Sequence, residues 1–524
     1  MAASTSSVAL DGLRGQPIEV EVDVSSGMPA TVIVGLGDAT VSEARDRVRS
    51  AVVNSGASWP EHRVTINLAP SSLPKNGPHY DLAIGVAVFM AKGLVDRASA
   101  ANTVFLGELA LDGRLRAVRG VLPAALAAAD AGVERAMVPE ANVAEASLAP
   151  GLQVIGVRSL RHAVATLNDE EPPQDDPPVP PLETARDVGW SLGATDHLDL
   201  TEVAGQDDAR LAAVIAAAGG HHLLMIGPPG VGKTMLAQRL PGLLPDLDAA
   251  ASLEVSTVHS VAGALEADRP LLRRPPFVDP HHSASAVSII GGGSRQIRPG
   301  AMSLAHRGVL FMDEAPEFAV NVLEALRQPL ESGRIVVSRA AQTAVFPARF
   351  QLILAANPCP CGQHGSVVER CECTPLQRRR YLDKISGPIR DRVDIHRRLR
   401  APARPDLGGA SQRSSGDWAA EVAAARDRQS RRLAEFGCRL NSELSGAVLR
   451  KRTPPSIEAR RLLEEKIQAG GLSARAADRA LRVSWTVADL LGHDRPQLDD
   501  MDVALALRRG TPLGGELLGM LEAA

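Results

Sequence analysis

The sequence predicts an α/β protein in three parts: an N-terminal α/β domain, a central domain built on a parallel sheet, and a C-terminal all-α unit. Three observations carry this. Short apolar runs alternate with helix-period segments over residues 1–168, continuous apolar runs bounded by turns or charge punctuate residues 190–400, and residues 417–510 show helical spacing alone. Continuous runs of this kind suit strands buried on both faces of a parallel sheet.

In the first part, Ile18–Val24, Thr31–Val34, Arg63–Leu68, Thr103–Phe105 and Ala136–Val138 read as strands, and Ser42–Ser55, Asp81–Lys92 and Val121–Ala131 as helices. Residues 169–189 follow as a linker. Its stretch Asp169–Pro181 is proline and acid with no apolar repeat, so an extended spacer without a core is expected. In the central part the strand candidates are His222–Ile226, Val309–Met312 and Phe350–Ala355. Residues 401–416 form a Gly/Ser/Arg/Pro loop. The last part, 417–524, carries helical spacing in Trp418–Phe436, Ile457–Gln468, Ala474–Leu491 and Met501–Arg508.

The chain of 524 residues allows roughly three or four domains. Aromatics are only 3% of it, so its cores must rest on Ala, Val, Leu and Ile. A net charge of -4 excludes a uniformly basic nucleic-acid binder and leaves only local patches. No segment has the pattern of a signal peptide or the length of a membrane span, so no membrane partner is expected. Four of the five cysteines fall in one short segment, which is not a secreted disulfide framework and points to a reducing cytoplasm.

The chemistry begins at Gly227, Pro228, Pro229, Gly230, Val231, Gly232, Lys233 and Thr234, which lie between a strand candidate and a helical run. Glycines let a backbone wrap phosphate with its amides, a lysine reaches the β- and γ-phosphates, and a threonine hydroxyl ligates magnesium. Asp313 and Glu314 follow Val309–Met312. Acids at the end of a parallel strand stand at the mouth of the sheet, where Asp313 would complete the magnesium shell and Glu314 would polarise the attacking water. Asn357 ends the third strand candidate and offers a neutral amide to the γ-phosphate or the water, or simply forms the turn before Pro358. ATP and magnesium are thus the expected ligands.

These motifs, in this order, resemble an AAA+ P-loop ATPase. The stretches GQDDARLAAVIAAAGGHHLLMIGPPGVGKT, PHHSASAVSIIGGG, RPGAMSLAHRGVLFMDEAPEF and ANPCPCG resemble the YifB/ComM family of magnesium-chelatase-like ATPases. The likeness covers nearly the whole chain and is most specific over residues 205–394. Ala301 departs from it, where members often carry Glu. The resemblance implies a homo-oligomeric, usually hexameric ring with each nucleotide shared between subunits. It makes Arg392, in SGPIRDRVDI, the arginine offered to a neighbour's nucleotide, and Arg475, in LSAR, a second γ-phosphate sensor in the C-terminal lid. Either arginine alone would read as a surface ion pair.

Two segments look like the family's insertions. Pro280–Arg298 holds Gly291, Gly292 and Gly293 with Arg295 and Arg298, and Glu331–Phe346 reads as a hairpin carrying Arg334 and Arg339. In related ring motors such hairpins line the pore and grip DNA. The alternative is that these arginines pair with acids at subunit contacts. Cys359, Cys361, Cys371 and Cys373 form C-x-C, nine residues, C-x-C. Four thiolates suit structural zinc, although the usual C-x₂-C spacing is absent, and four reduced thiols are the alternative.

The first domain resembles the proteolytic domain of Lon around PKNGPHYDLAIGVA, with His79 at the nucleophilic serine position and Leu122 or Pro123 at the lysine position. Without nucleophile or base, peptide hydrolysis has no route there. Lys75 and His79 remain candidates for another role, against the plainer reading of a folded turn. Branched-DNA migration in recombination and natural transformation is the function the resemblance implies. Remodelling of a protein partner, as in magnesium chelatase, is the alternative.

Overall fold

The computed structural model describes residues 2–35, 38–73, 75, 77–182, 198–293, 297–339, 342–365, 370–400, 413–515 and 518–519. Arg295, the hairpin tip at 340–341 and most of the 401–416 loop lie outside them.

The first domain is a seven-stranded sheet built from β1 (Ala2–Asp11), β2 (Arg14–Ser25), β3 (Ala30–Val34), β4 (Arg63–Ala69), β5 (Thr103–Phe105), β6 (Arg135–Pro139) and β7 (Gln153–Val157), in the order β3-β4-β2-β1-β5-β6-β7. Helix α1 (Asp38–Asn54) and α2 (Asp81–Ala91) cover one face, and α3 (Val121–Asp130) packs on the other. Strand β1, central in this sheet, has no counterpart in the sequence reading. Its inward Thr5 and Ser7 hide the apolar alternation, and their hydroxyls are satisfied by the Ala83 and Phe105 carbonyls at 3.0 and 2.9 Å.

The acid- and proline-rich stretch has no regular element, as an extended linker would not, but it is pinned to the first domain and adds to its core. Asp176 is buried, accepts from Ser159 Oγ at 2.5 Å and from Arg161 Nε at 3.0 Å, and Val179 enters the first domain's core. Proline gives the strand-like path, and one acid and one valine suffice to pin it.

The central sheet has five strands rather than three: β8 (Leu223–Ile226), β9 (Phe277–Val278), β12 (Val309–Met312), β15 (Gln351–Ala356) and β16 (Ile395–Arg398), all parallel, in the order β9-β12-β15-β8-β16. The two missed strands are the edges. One has only two residues, and the other is polar because Arg397 is buried against Asp208 and the Thr511 carbonyl. Two hairpins project from this domain, β10 (Gly291–Gly292) with β11 (Arg298–Pro299), and β13 (Arg334–Arg339) with β14 (Gln342–Pro347).

Helix α4 (Ser415–Leu433) opens the C-terminal unit three residues before the expected start. Ser414, inside the stretch expected as loop, and Asp417 form a capping box there. Helices α5 (Ile457–Gln468), α6 (Ala474–Leu491) and α7 (Leu498–Arg509) complete the unit. The first domain rests on the second: the Gly120 amide donates to the Ser260 carbonyl at 3.1 Å, and a methyl at Gly12 would lie 3.5 Å from Ala344 in β14.

Candidate nucleotide site

Three adjacent parallel strands end side by side, and each delivers part of the site. Gly227 follows β8, Asn357 follows β15 and Asp313 follows β12. This is the carboxyl edge, where α/β sheets bind ligands. Gly227 must be glycine for closeness, since a Cβ would meet the Leu399 carbonyl at 2.8 Å. Gly230 and Gly232 have φ of 76° and 95°, which suits residues without a side chain.

Lys233 is buried, and its Nζ donates to the carbonyls of Gly227 and Pro228 at 2.6 and 2.8 Å and to Asn357 Oδ1 at 3.1 Å. Burial lowers its pKa, and the charges of Asp313 and Glu314 oppose that shift without cancelling it. An ammonium so placed gains from an anion. Thr234 Oγ1 donates to Asp313 Oδ2 at 2.6 Å, which sets a hydroxyl and a carboxylate together as oxygen ligands of the kind a hard cation takes. The donor set therefore fits a magnesium–triphosphate. Glu314 takes the left-handed region at φ 50° and ψ 41°, a conformation costly for a residue with a side chain. Its carboxylate meets His282 Nδ1 at 3.2 Å. His282 was missed in the sequence. It stands in PHHSASAVSIIGGG, four residues beyond the edge strand β9, whose place next to β12 only the fold reveals.

The arginines lie elsewhere. Strand β16 pairs in register with β8, Ile395 beside Leu223 and Arg398 beside Ile226. Arg392 precedes the start of β16, so a strand length of roughly 13 Å separates it from the edge that carries its own phosphate loop. It pairs with Glu331 and donates to the Pro388 carbonyl at 2.7 Å. Burial, then the charges of Arg479, Arg327 and Arg475, hold its pKa down. Arg475 is exposed and lies 3.8 Å from Asp391, on the same side as Arg392. Arg479, one turn on in α6, was also missed; it forms a 2.7 Å ion pair with buried Asp394 and anchors the lid beneath Arg392. Ala301, the departure from the family pattern, is fully buried.

On the hairpins, Arg298, Arg334 and Arg339 are exposed, and none is ion-paired among the described residues. The hairpins touch: a methyl at Gly292 would come 2.8 Å from Arg339 Nη2. In the first domain, His79 is buried and its Nε2 lies 3.1 Å from the Val8 carbonyl, while Lys75 Nζ donates to the carbonyls of Pro70 and Leu73. The lysine contacts lie within the turn, and the histidine ties it to strand β1. The sulfurs of Cys359, Cys361, Cys371 and Cys373 lie within 4.8 Å of one another.

Three family models match the chain: subunit ChlI of Mg-chelatase over residues 20–142, magnesium chelatase subunit ChlI over 199–406, and the ChlI C-terminal region over 412–508. The competence protein ComM of Haemophilus influenzae is 40% identical over 486 residues, 92% of this chain and 93% of that one. The YifB protein of Escherichia coli is 41% identical over 481 residues, 91% of each. The chain belongs to the YifB/ComM family of magnesium-chelatase-like AAA+ ATPases. A Mycobacterium tuberculosis member is 48% identical over 506 residues, 96% of this chain and 98% of its own. The magnesium-chelatase 38 kDa subunit of Rhodobacter capsulatus is 29% identical over 173 residues, 30% of this chain. As an AAA+ ATPase the YifB/ComM-type chain takes ATP and magnesium, and no described helix is long and apolar enough to cross a membrane.

Proposed function

We propose that this ATPase drives movement on DNA, as a ring with nucleotide sites shared between neighbours, and that branch migration in recombination is its work. The observation that carries this reading is the pair of touching hairpins with three exposed arginines, Arg298, Arg334 and Arg339, that have no ion pair among the described residues. Uncompensated guanidiniums on projecting loops of an acidic chain are a local phosphate-binding surface. Arg119 of the first domain adds to it; burial and then the Arg298 charge depress its pKa. The near full-length likeness to a competence protein, 40% identical, supports the same reading, whereas the magnesium-chelatase subunit of Rhodobacter capsulatus is 29% identical over 30% of the chain.

In this reading Lys233 and the loop amides bind the β- and γ-phosphates, and Thr234 and Asp313 hold magnesium. The ion supplies charge neutralisation at the phosphate oxygens. Glu314 takes the proton of the attacking water, and Asn357 orients that water or the γ-phosphate. Arg392 and Arg475, on the far side of the sheet, serve the neighbour's nucleotide. A closed ring, hexameric in the family reading, lets every copy both give and receive. The Lon-like first domain is a structural or DNA-contacting module.

The test is ATP turnover with single-stranded, duplex and four-way-junction DNA at several salt concentrations. Turnover should rise with DNA, most with the junction, and the effect should fade with salt. Arg334→Ala with Arg339→Ala should lower the DNA-stimulated rate, leave basal turnover alone, and flatten the salt slope by about one unit per lost contact. No response to any DNA would transfer the ATPase to protein remodelling, which the chelatase family models keep in view.

A further inference from the structure

We propose that Cys359, Cys361, Cys371 and Cys373 bind one zinc ion, and that this ion braces the hydrolytic site by fixing Asn357 beside the phosphate loop; the second half rests on the ATPase reading above. The sulfurs argue for the ion. Cys359 Sγ lies 3.3 Å from Cys361 Sγ and 3.6 Å from Cys371 Sγ, and Cys361 and Cys371 are also 3.6 Å apart. Four thiolates at about 2.3 Å from a tetrahedral zinc stand roughly 3.8 Å apart. Thiol–thiol hydrogen bonds are too weak to gather four sulfurs from two separate C-x-C segments on their own. All four thiols would bind as thiolates, releasing their protons to solvent.

The position argues for the brace. Asn357, which accepts from Lys233 Nζ at 3.1 Å, is two residues before Cys359. Pro358 and Pro360 flank Cys359 and restrict the backbone between the amide and the first two sulfurs. Cys359 is fully buried, and the Gly362 amide closes the turn on its carbonyl at 2.9 Å. Gly362, at φ 78°, lies flat on the phosphate loop: a Cβ there would meet Pro229 Cγ at 2.9 Å and come within 4.0 Å of Asn357 Cγ. The cysteine turn is therefore one wall of the nucleotide site, in contact with both the loop that binds phosphate and the amide that reads it. The second pair, Cys371 and Cys373, leads directly into a helix, Pro375–Leu382, capped by Thr374. The ion would join that helix to the wall.

The consequence is a split between binding and hydrolysis. Lys233 and the loop amides belong to β8 and its following helix, Lys233–Arg239, so nucleotide affinity should survive loss of the ion. Asn357 loses its restraint, so kcat should fall by about 10–100-fold, the range seen when groups that orient a site are removed. The experiment uses the full-length protein. Elemental analysis should give one zinc per chain, and thiol titration should find the four cysteines protected until a chelator or denaturant is added. Cobalt(II) reconstitution should give a tetrathiolate spectrum. Cys371→Ser should lose the metal and kcat while keeping affinity for a fluorescent ADP analogue. In Asn357→Ala, which keeps its zinc, metal removal should cost no further turnover.

Absence of zinc together with four freely titrating thiols overturns the site. Zinc present, but wild-type kcat in Cys371→Ser, overturns the brace and leaves the site. If Cys371→Ser fails to bind nucleotide at all, chelation of the folded wild-type protein decides the same question, since unchanged kcat after zinc release overturns the brace. A zinc-replete wild type that turns over no ATP overturns the ATPase reading beneath it.

Discussion

The two edges of the five-stranded sheet are opposites. At the carboxyl edge, Lys233, Thr234, Asp313 and Asn357 converge through contacts of 2.6–3.1 Å made within one domain. At the amino edge, Arg392, Arg475 and Arg479 crowd together, each held by an acid: Glu331, Asp391 and Asp394. One edge offers a triphosphate a single lysine, and the other gathers guanidiniums that are balanced by acids. Neither can reach the other within a chain. The proposed sharing of each nucleotide between two copies would bring the two edges together.

The largest effects should come from the carboxyl edge. Lys233→Ala should abolish ATP binding, measured with a fluorescent nucleotide, because the phosphates lose their main cation. Glu314→Gln should bind ATP and release no phosphate. Hydrolysis at the wild-type rate in Glu314→Gln would remove Glu314 from its proposed role.

The next test joins the edges. Arg392→Ala should leave binding nearly intact and cut turnover by about 10³–10⁵-fold. Mixing it with Lys233→Ala should restore part of the activity, since the intact phosphate loop of one would meet the intact arginine of the other. If mixtures show no recovery at any ratio, the two edges do not share a nucleotide.

The same contrast explains what could be read from the sequence. The phosphate loop and Asp313–Glu314 are contiguous motifs whose chemistry is local, so Lys233, Thr234, Asp313 and Asn357 were all legible and meet in space. The amino edge is made by long-range contacts. Arg479 finds Asp394 across 85 residues of sequence, and nothing in an isolated arginine says so. His282 was hidden for a similar reason, since its strand β9 has only two residues. Strand β1 is hidden in the sequence because Ser and Thr occupy core positions, and the anchoring of the proline-rich stretch is hidden because it rests on single residues, Asp176 and Val179.

Arg479→Ala should therefore act through stability. It leaves the buried Asp394 carboxylate short of its cation, at a cost of about 3–5 kcal/mol. Burial opposes ionisation of Asp394, but the His221 hydrogen bond and the Arg479 charge outweigh it and hold the carboxyl well below 3.8. A depressed carboxyl contributes stability above its unfolded pKa and loses it as pH falls through the folded value. Wild type should keep this contribution down to about pH 4 and lose it only below. In Arg479→Ala the carboxyl rises toward its unfolded value, so the acid limb of Tm against pH should start at the same pH but be shallower, with less stability lost below about pH 4. An unchanged limb would mean that the ion pair contributes nothing to the lid's attachment.

The smallest effect should come from His282, which belongs to the carboxyl edge but arrives from its outermost strand. Its Nδ1 stands 3.2 Å from Glu314 Oε2, in ion-pair range of the proposed base, while Glu314 itself sits in a strained backbone conformation. A group that only aims the carboxylate should be worth one hydrogen bond, about 1–1.5 kcal/mol, or about 5–13-fold in rate. His282→Ala should accordingly lower kcat by that factor, with KM unchanged because no phosphate contact is lost. His282→Asn, which keeps a donor, should recover part of it. Steady-state phosphate release over a range of ATP concentrations separates the outcomes. A higher basal rate in His282→Ala would reverse the assignment: His282 would then hold Glu314 away from the water, and the carboxyl edge would be restrained at rest rather than already aligned.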